Sequence, residues 1–598
     1  MKPTRINHLN WSRSAGTALT VTLITFCGQT MHAADWGGGT STDWNTAANW
    51  SGNAVPTGVD ANIFAGAGNF SVISATPTGA PKAVWIGNYG AATGRLDLTG
   101  GALTVTSADW PGGPLIVGYG QDGKGTCNIT GTASLTTGSF GDIRVGSGFW
   151  WGNSTGVLNV NTTGTVHANG HLAIGGRNGD VGTVNVDAGT VTIGGGWQVS
   201  VDIAAGSATS PSSGSLNISG GTVSMDHRLV IAGGYRSGAG TEADPYVYAN
   251  GSYVGTVTMT GGTLTTDATH NENWHGGLSM AAGFDEATGG TATFNLDGGT
   301  LSTLFVFTEA GNNGIAGTST FNFNGGTLQG QANYGQFMGG LTRANVRDGG
   351  AVINTNGFNL NIGQVLEHSD IIDDLPIDGG LTKDGAGRLE LAGGFTYTGN
   401  TTVNAGTLAV NQASFSDAST ITIADGATLN LNTGTSDTVG ALVLGVTTMT
   451  APGTYGAVGN ANADFTSDRI TGSGLIELGA AAPYTTWANA NGATTQTMDL
   501  DHDNDGVDNG IEYFMGQTGS TFTANPAAVG GTITWPMGAN YTGAYGTDYE
   551  VQYSTNLVIW TQAPIGSGDN TVVVTPGTSV VYDAPTGGKS FVRLVVKN

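Results

Sequence analysis

The sequence predicts an all-β protein: a right-handed parallel β-helix (β-solenoid), followed by a calcium-loop linker and a small C-terminal β-sandwich. One short segment recurs along the first half of the chain, apolar and polar residues alternate inside each copy, and glycine supplies 103 of the 598 residues. Alternation with period two is typical of strands that bury one face, and glycine permits the positive φ of tight corners. The glycine content also argues against long helices, where each interior glycine costs about 1 kcal/mol.

The recurring segment is Gly94–Leu103. Further copies begin at Gly125, Gly156, Gly182, Gly214, Gly255, Ala292 and Ser319, at intervals of 26 to 41 residues. In each copy two apolar residues flank a polar one, as Leu96 and Leu98 flank Asp97. No helical pattern lies between the copies, and most intervals are shorter than a propeller blade requires, so stacked β-helix coils are the expected architecture.

The polar residue between the two apolar positions is asparagine in six of the eight copies. These residues are Asp97, Asn128, Asn159, Asn185, Asn217, Thr258, Asn295 and Asn322. Copies that stack in register would form a ladder on the outer face, with each amide bonded to the coils above and below. Two interpretations stay open: the ladder satisfies the coil surface, or its regular Thr and Asn side chains bind a ligand such as a sugar or ice.

Residues 1–33 are expected to be a signal peptide. Basic residues precede the apolar run Ala15–Cys27, and small residues surround a cleavage site near Ala33 and Ala34. Cleavage would leave Cys127 as the single cysteine, so we expect no internal disulfide in the exported chain. No later apolar stretch is long enough for a membrane anchor, so no integral membrane segment is expected after signal cleavage.

Charge restricts the partners that the chain can bind. Lys and Arg number 18 against 43 Asp and Glu, which gives a formal net charge of −25. Such a chain lacks the cations that neutralise phosphates, so we expect no nucleic-acid partner. Only 10% of the residues are charged and 38% are apolar, which argues against intrinsic disorder.

Changes in the sequence pattern divide the chain. The expected domains are a solenoid cap at 34–80, β-helix repeats at 81–480, a linker at 481–520 and a β-sandwich at 521–598. Trp36, Trp44 and Trp50 are expected to plug the first coil, because the end coils of a solenoid need caps.

The pattern changes again at residues 379–410. Gly380–Leu391 is followed by Phe395–Val410, and the positions of Lys383, Gly385 and Tyr397 closely resemble the autotransporter-associated β-strand repeat, also called the passenger-associated transport repeat. The resemblance implies a β-helical passenger that is exported to the outer cell surface or the extracellular space and is often an adhesin.

The segment Asp501–Glu512 matches the twelve-residue calcium loop of an EF-hand at positions 1, 3, 5, 6, 9 and 12. Calcium prefers six to eight hard oxygen ligands, and Gly506 permits the sharp turn that such loops need. The expected ligands of Ca²⁺ are Asp501, Asp503, Asp505, the carbonyl of Val507, Asn509 and Glu512. With one loop and only a short following helix, the site resembles isolated calcium loops that rigidify linkers in secreted proteins.

No catalytic residues are expected. Asp267, His270, Glu272 and His275 lack the spacing of a zinc protease, and the motifs Asp226–Arg228 and Glu367–Asp370 have the pattern of surface turns. The favoured function is therefore a structural or adhesive surface rod, with extracellular glycans or cell-surface components as possible partners. The alternative is a polysaccharide-binding or polysaccharide-degrading β-helix protein.

Overall fold

The structure is a computed structural model, and it describes residues 33–597 apart from short segments. The internal residues outside this description are 65–69, 88–92, 108–113, 147–151, 177–178, 195–198, 205–210, 235, 238–246, 249, 268–275, 285, 312, 413, 433, 435, 480–482, 494–495, 520–521, 539–540, 542 and 588. Positions 1–32 of the predicted signal peptide also lie outside the described residues.

One long sheet in the described part of the chain, sheet A, has 16 strands that all pair in parallel. Across the sheet, its strands are Ala34–Asp35, Ala61–Ile63, Val84–Ile86, Leu115–Val117, Ile143–Val145, Leu172–Ile174, Val199–Ile203, Arg228–Ile231, Leu278–Met280, Val306–Phe307, Tyr334–Gly339, Leu360–Ile362, Arg388–Leu391, Thr407–Val410, Thr428–Leu431 and Ile470–Gly472. The order in the sheet is the order along the chain, so each successive coil adds one strand. Pairing reaches back to Ala34, inside the segment predicted as the cap.

A second set of strands, sheet B, contains the repeat copies. Its strands are Ser71–Ile73, Thr93–Leu98, Ala102–Val105, Lys124–Gly131, Ser134–Thr137, Thr155–Ala168, Val181–Ile193, Ser212–Ile218, Thr222–Met225, Tyr253–Thr265, Thr291–Thr303, Thr318–Phe323, Thr327–Gly330, Arg343–Val346, Ala351–Asn354, Glu367–His368, Leu381–Asp384, Thr401–Val403, Thr420–Ile423, Ala441–Leu444 and Thr447–Thr448. Successive coils pair in parallel here too; the last two strands pair antiparallel. Early coils place two successive strands in sheet B, such as Thr93–Leu98 and Ala102–Val105, before the chain returns to sheet A. Two long parallel sheets built coil by coil are consistent with the predicted β-helix.

The repeat copies stack in the register that the sequence predicts. Gly94 pairs with Gly125 and Gly125 with Gly156, and the alignment continues to Ser319. The flanking apolar side chains, such as those of Leu96 and Cys127, are fully buried. They belong to one hydrophobic core that runs from Ala34 to Leu478, so each coil is stabilised by the coils next to it.

The polar residues between these apolar positions form the predicted ladder. Asn128 Nδ2 donates to Asp97 Oδ1 at 2.6 Å, and equivalent bonds of 2.7–3.3 Å join the later members from Asn128 to Asn217 and from Thr258 onward. The ladder reaches Asn345, whose copy departs from the repeat pattern because its glycine pair, Gly349 and Gly350, comes one residue later than in copies such as Gly94–Leu103. The amides bond to one another between coils, which supports the structural interpretation over a ligand surface.

The corners after the sheet A strands from Val84–Ile86 to Leu278–Met280 have a left-handed backbone. Gly118 has φ +79°, and a Cβ at this position would collide with the carbonyl of Thr155 in the next coil. At the equivalent corners of later coils, Ala204 and Ala232 hold φ values of 49° and 53°. Their amides still donate to the preceding coil at 2.8 Å, so the corner is preserved without glycine.

The start of the described chain is closed by aromatic packing. The Trp36 and Trp44 rings lie edge-on to Trp50 at centroid distances of 5.0 and 4.6 Å. Trp50 Nε1 donates to the Trp44 carbonyl at 2.8 Å, and all three side chains join the long core. A short 3₁₀ helix, Ala47–Asn49, lies between the second and third of them.

Beyond residue 480 the chain forms a separate hydrophobic core. The helices Pro483–Ala490 and Asn509–Met515 are followed by two three-stranded antiparallel sheets. None of the helices among the described residues is long and apolar enough to cross a membrane. The sheets are Thr532–Pro536, Ser579–Asp583, Thr571–Thr575 and Thr561–Gln562, Tyr549–Ser554, Phe591–Val596. Tyr513, Phe514 and Met515 lie in this core, so part of the predicted linker packs with the C-terminal segment.

Three small sheets complete the described secondary structure. Their strands are Arg236–Ser237 with Val247–Tyr248, Gly283–Phe284 with Ala310–Gly311, and Ser436–Val439, Leu475–Leu478, Gly453–Ala457 with Phe465–Ser467.

Candidate metal centre

Three aspartates of the predicted calcium loop come together. Asp501, Asp503 and Asp505 each offer a carboxylate oxygen within 4.8 Å of the others. The loop folds on its own acceptors: the Asp505 amide donates to Asp501 and Asp503 at 3.2 Å, and the Gly506 amide donates to Asp501 at 2.8 Å. Gly506 has φ +90°, which explains the glycine at this turn. The spacing of alternate aspartates thus produces a compact group of hard oxygen ligands.

Glu512 approaches this group from the helix Asn509–Met515. Its side chain is fully buried, and its Oε1 accepts from the Thr523 hydroxyl at 2.9 Å. Its Oε2 is buried and has no hydrogen-bond partner. Burial raises the pKa of Glu512 to about 7, opposed by the Thr523 bond and reinforced by the charges of the loop aspartates. A buried carboxylate oxygen without a partner beside three aspartates fits a bound cation, which would relieve the crowded negative charge.

The remaining predicted ligands have other described contacts. The Val507 amide donates to Asp505 Oδ1 at 2.8 Å. Asn509 is fully buried; its Oδ1 accepts from the His502 amide at 3.1 Å and its Nδ2 donates to Gln496 at 3.1 Å. Asn509 therefore ties the loop to the segment before it.

Thr523 is a member of the site that the sequence does not reveal. Its amide donates to Asp505 Oδ2 and its hydroxyl donates to Glu512, so it bridges the loop and the helix. Thr523 follows the twelve-residue motif by 11 positions and belongs to no pattern of its own. Its position in the candidate metal centre is therefore visible only in the structure.

Two motifs interpreted as surface turns have different environments. Arg228 opens a strand of sheet A, is 7% exposed and lies 3.5 Å from Glu309, so its assignment to a surface turn is wrong. His368 lies in a strand of sheet B, and its Nδ1 lies 2.9 Å from Asp378 Oδ2. The apolar residues that follow Arg228 do not by themselves distinguish a strand from a turn. Their pairing in sheet A shows that they form a strand. His270, Glu272 and His275 lie outside the described residues.

The segment with the repeat resemblance forms two consecutive coils. Leu381–Asp384 pairs with Thr401–Val403 in sheet B, and Arg388–Leu391 pairs with Thr407–Val410 in sheet A. The register offset is 20 residues in sheet B, so these coils are shorter than those of the earlier copies. The upstream copies are spaced by 26 to 41 residues, so each coil of this segment contains less chain between its strands.

Lys383 is fully buried in this segment. Its Nζ donates to the carbonyls of Asp384, Gly385 and Ala405 at 3.0, 2.6 and 2.9 Å. The first two carbonyls belong to its own coil and the third to the next coil, so one ammonium group joins two turns. Burial lowers the pKa of Lys383 to about 8, opposed by Asp384.

The architecture is thus a stack of parallel coils, in which the two coils at 381–410 are shorter than the earlier ones. A family model for the passenger-associated-transport-repeat matches residues 381–410, which confirms the resemblance in the sequence. The repeat is compatible with a β-helical surface protein and points to export as an autotransporter passenger. Comparisons with curated proteins and with solved structures found no match.

Proposed function

We propose that the protein is a secreted or cell-surface β-helical protein with a structural or adhesive role. The match of residues 381–410 to the passenger-associated-transport-repeat carries this proposal. The coils before and after the match share its two sheets and its core, which supports one continuous rod. The expected partners are extracellular glycans or cell-surface components, and the proposal includes no catalytic step.

The proposal also extends to the finer architecture. The coils wind right-handed, because connections between parallel strands of one sheet are almost always right-handed. The two C-terminal sheets form a small β-sandwich, and the shared core around Val551, Val572 and Leu594 supports this arrangement.

Calcium stabilises the segment after the coils in this proposal. Asp501, Asp503, Asp505 and Glu512 would supply carboxylate oxygens, and Val507 and Asn509 would supply the remaining ligands of the sequence motif. The bound ion would neutralise carboxylates and hold the loop against the helix that carries Glu512. The unpartnered Glu512 Oε2 is the observation that favours this role.

Surface location and adhesion can be tested in the producing cells. We expect an antibody against the coils to label intact cells or to detect the chain in the medium, and a deletion strain to attach less well to glycan-coated surfaces. Complementation should restore attachment. Retention of the chain inside the cell, or unchanged attachment after deletion, would contradict the proposal.

A further inference from the structure

A turn near the end of the described chain presents three consecutive aliphatic side chains to solvent. Leu557, Val558 and Ile559 are 55%, 80% and 68% exposed. The turn follows the strand Tyr549–Ser554 and ends at Trp560, just before the strand Thr561–Gln562. Aliphatic residues that are exposed singly are ordinary on protein surfaces, whereas a contiguous exposed group marks a site of interaction.

Hydrogen bonds within the turn hold these side chains outward. Asn556 Oδ1 accepts from the amides of Val558 and Ile559 at 2.9 Å. Ser554 Oγ accepts from the Leu557 amide at 2.9 Å. Leu557 has φ +63°, a left-handed conformation that is uncommon for a residue with a large side chain. Backbone strain of this kind is concentrated at functional sites, so the turn has the character of a built recognition element.

An aromatic side chain extends the exposed group. Phe591 is 41% exposed, and it pairs with Ser554 across neighbouring antiparallel strands. This pairing places Phe591 at the end of the sheet where the turn begins. The four residues Leu557, Val558, Ile559 and Phe591 are called the apolar tip below.

A tryptophan and two cations accompany the apolar tip. The Arg593 guanidinium carbon lies 4.2 Å from the Trp560 ring centroid, and Gln552 Oε1 accepts from Arg593 at 2.9 and 2.7 Å. Lys589 is exposed two residues before Phe591. Tryptophan and long cationic side chains beside apolar residues are typical of the boundary between lipid tails and water.

The charge of this part of the chain permits contact with a zwitterionic lipid surface. Residues 521–598 contain four acidic and three basic residues, whereas the whole chain contains 43 and 18. The turn from Thr555 to Trp560 carries no charged side chain. The strongly acidic remainder of the chain is repelled by an anionic membrane, but a surface without net charge exerts no such repulsion.

The size of the apolar tip favours lipid over a second copy of the chain. Stable protein interfaces use about 20–30 residues on each side, and the tip supplies four. Insertion into lipid needs only apolar side chains that project from a fixed turn, and its strength grows with the apolar area that is buried.

We propose that the apolar tip inserts into a zwitterionic phospholipid surface and docks residues 521–598 on a membrane. The aliphatic side chains enter the acyl region, Trp560 lies at the level of the headgroups, and Arg593 and Lys589 face the lipid phosphates. The tip belongs to the C-terminal segment and not to the coils, so this inference goes beyond the proposed function.

Vesicle co-sedimentation of the full exported chain tests the tip. We expect the parent chain to sediment with phosphatidylcholine vesicles, and Val558→Asp to lower the partition coefficient at least tenfold. Val446→Asp is the matched control, because Val446 is 95% exposed in a hairpin of sheet B, and it should partition like the parent chain. Since Val558 is exposed, Val558→Asp should leave the thermal unfolding midpoint of the free chain unchanged.

A fluorescent label tests insertion directly. Cys127 is fully buried, and burial raises the pKa of its thiol to about 12, so a cysteine introduced at an exposed position is labelled selectively. Val558→Cys that carries a nitrobenzoxadiazole dye should shift its emission to shorter wavelengths when phosphatidylcholine vesicles are added. The same dye on Val446→Cys should show no shift.

Four results would overturn the inference. They are no binding to phosphatidylcholine vesicles, equal loss of binding in Val558→Asp and Val446→Asp, binding to phosphatidylglycerol vesicles alone, and dimerisation without lipid binding that Val558→Asp abolishes. The last result would assign the tip to a second copy of the chain.

Vesicle binding by purified protein does not depend on an adhesive role of the coils. Unchanged attachment of the deletion strain would therefore contradict the proposed function and leave the lipid site standing. Absence of vesicle binding would do the reverse.

Discussion

Lys383 shows how a single buried cation can join successive coils. Replacement by Met would remove the Nζ donor from the carbonyls of Gly385 and Ala405 and from that of Asp384, which would keep its bond from the Thr355 amide at 2.9 Å. We expect Lys383→Met to lower the free energy of unfolding by about 3 kcal/mol, because unsatisfied buried acceptors are costly. Urea denaturation at pH 7 measures this change. Lys124→Met, at an exposed lysine, is the control; equal effects of the two variants would refute the role of Lys383.

Asp378 is a negatively charged counterpart of Lys383, and its carboxylate also has several hydrogen-bond partners. It accepts from the amides of Gly380 and Gly399 at 2.9 Å, from the amide and hydroxyl of Thr398, and it lies beside His368. Burial acts to raise the pKa of Asp378, but these hydrogen bonds outweigh it and the pKa lies below the ordinary value.

The lowered pKa of Asp378 predicts acid sensitivity. A carboxylate with a depressed folded-state pKa stabilises the fold above its unfolded pKa of about 3.9, and that stability disappears as the pH falls through the folded value. We expect Asp378→Asn to cost about 2 kcal/mol at pH 7, and the difference from the parent chain to shrink below about pH 4. Urea midpoints across pH 3–7 measure this, with Asp373→Asn at an exposed position as control. A difference that does not vary with pH would count against the assignment.

The asparagine ladder acts at the scale of the strand stack. Asn185 donates to Asn159 at 2.7 Å and accepts from Asn217 at 2.8 Å, so its removal breaks two bonds between three coils. We expect Asn185→Ala to lower the free energy of unfolding by about 2 kcal/mol. The measurement is urea denaturation, with Asn462→Ala at an exposed loop position as control. Stability within about 0.5 kcal/mol of the parent chain would show that the ladder contributes little.

The calcium loop is the second element with a testable role. Chelation with EGTA should increase protease cleavage within residues 495–520, and added Ca²⁺ should stabilise this segment by about 3 kcal/mol when the free ion exceeds its Kd a hundredfold. Asp503→Asn should abolish the difference between the two conditions. Asp417→Asn, in a sheet B loop, is the matched control. Identical cleavage patterns of the parent chain with and without Ca²⁺ would refute the proposed site.

At the scale of the whole molecule, local patterns predicted the coils well. The alternation of apolar and polar residues around Leu96 and Leu98 follows directly from the burial of one face of the strand. The predicted strand, its inner face and the stacking register of the repeat copies are all confirmed. The three aspartates of the calcium loop are near one another in sequence and therefore close in space.

Features that depend on distant parts of the chain were not predictable. Thr523 joins the candidate metal centre from beyond the motif, and Asn345 extends the ladder from a copy whose glycine pair is shifted by one residue. Arg228 was misassigned because its partner Glu309 follows the strand Val306–Phe307, which lies two strands away from the Arg228 strand in sheet A. A single sequence does not record which long-range neighbours a side chain meets.

The direction of the hydrogen bonds between coils has a mechanical consequence. In both sheets these bonds point along the stacking axis, perpendicular to the strands. A pull on the two ends of the rod would therefore stretch only the few bonds of one interface at a time, and coils would peel away in sequence. The tryptophan cluster at Trp36, Trp44 and Trp50 packs at the first of these interfaces. The tensile strength of such a rod therefore depends on its ends more than on its length.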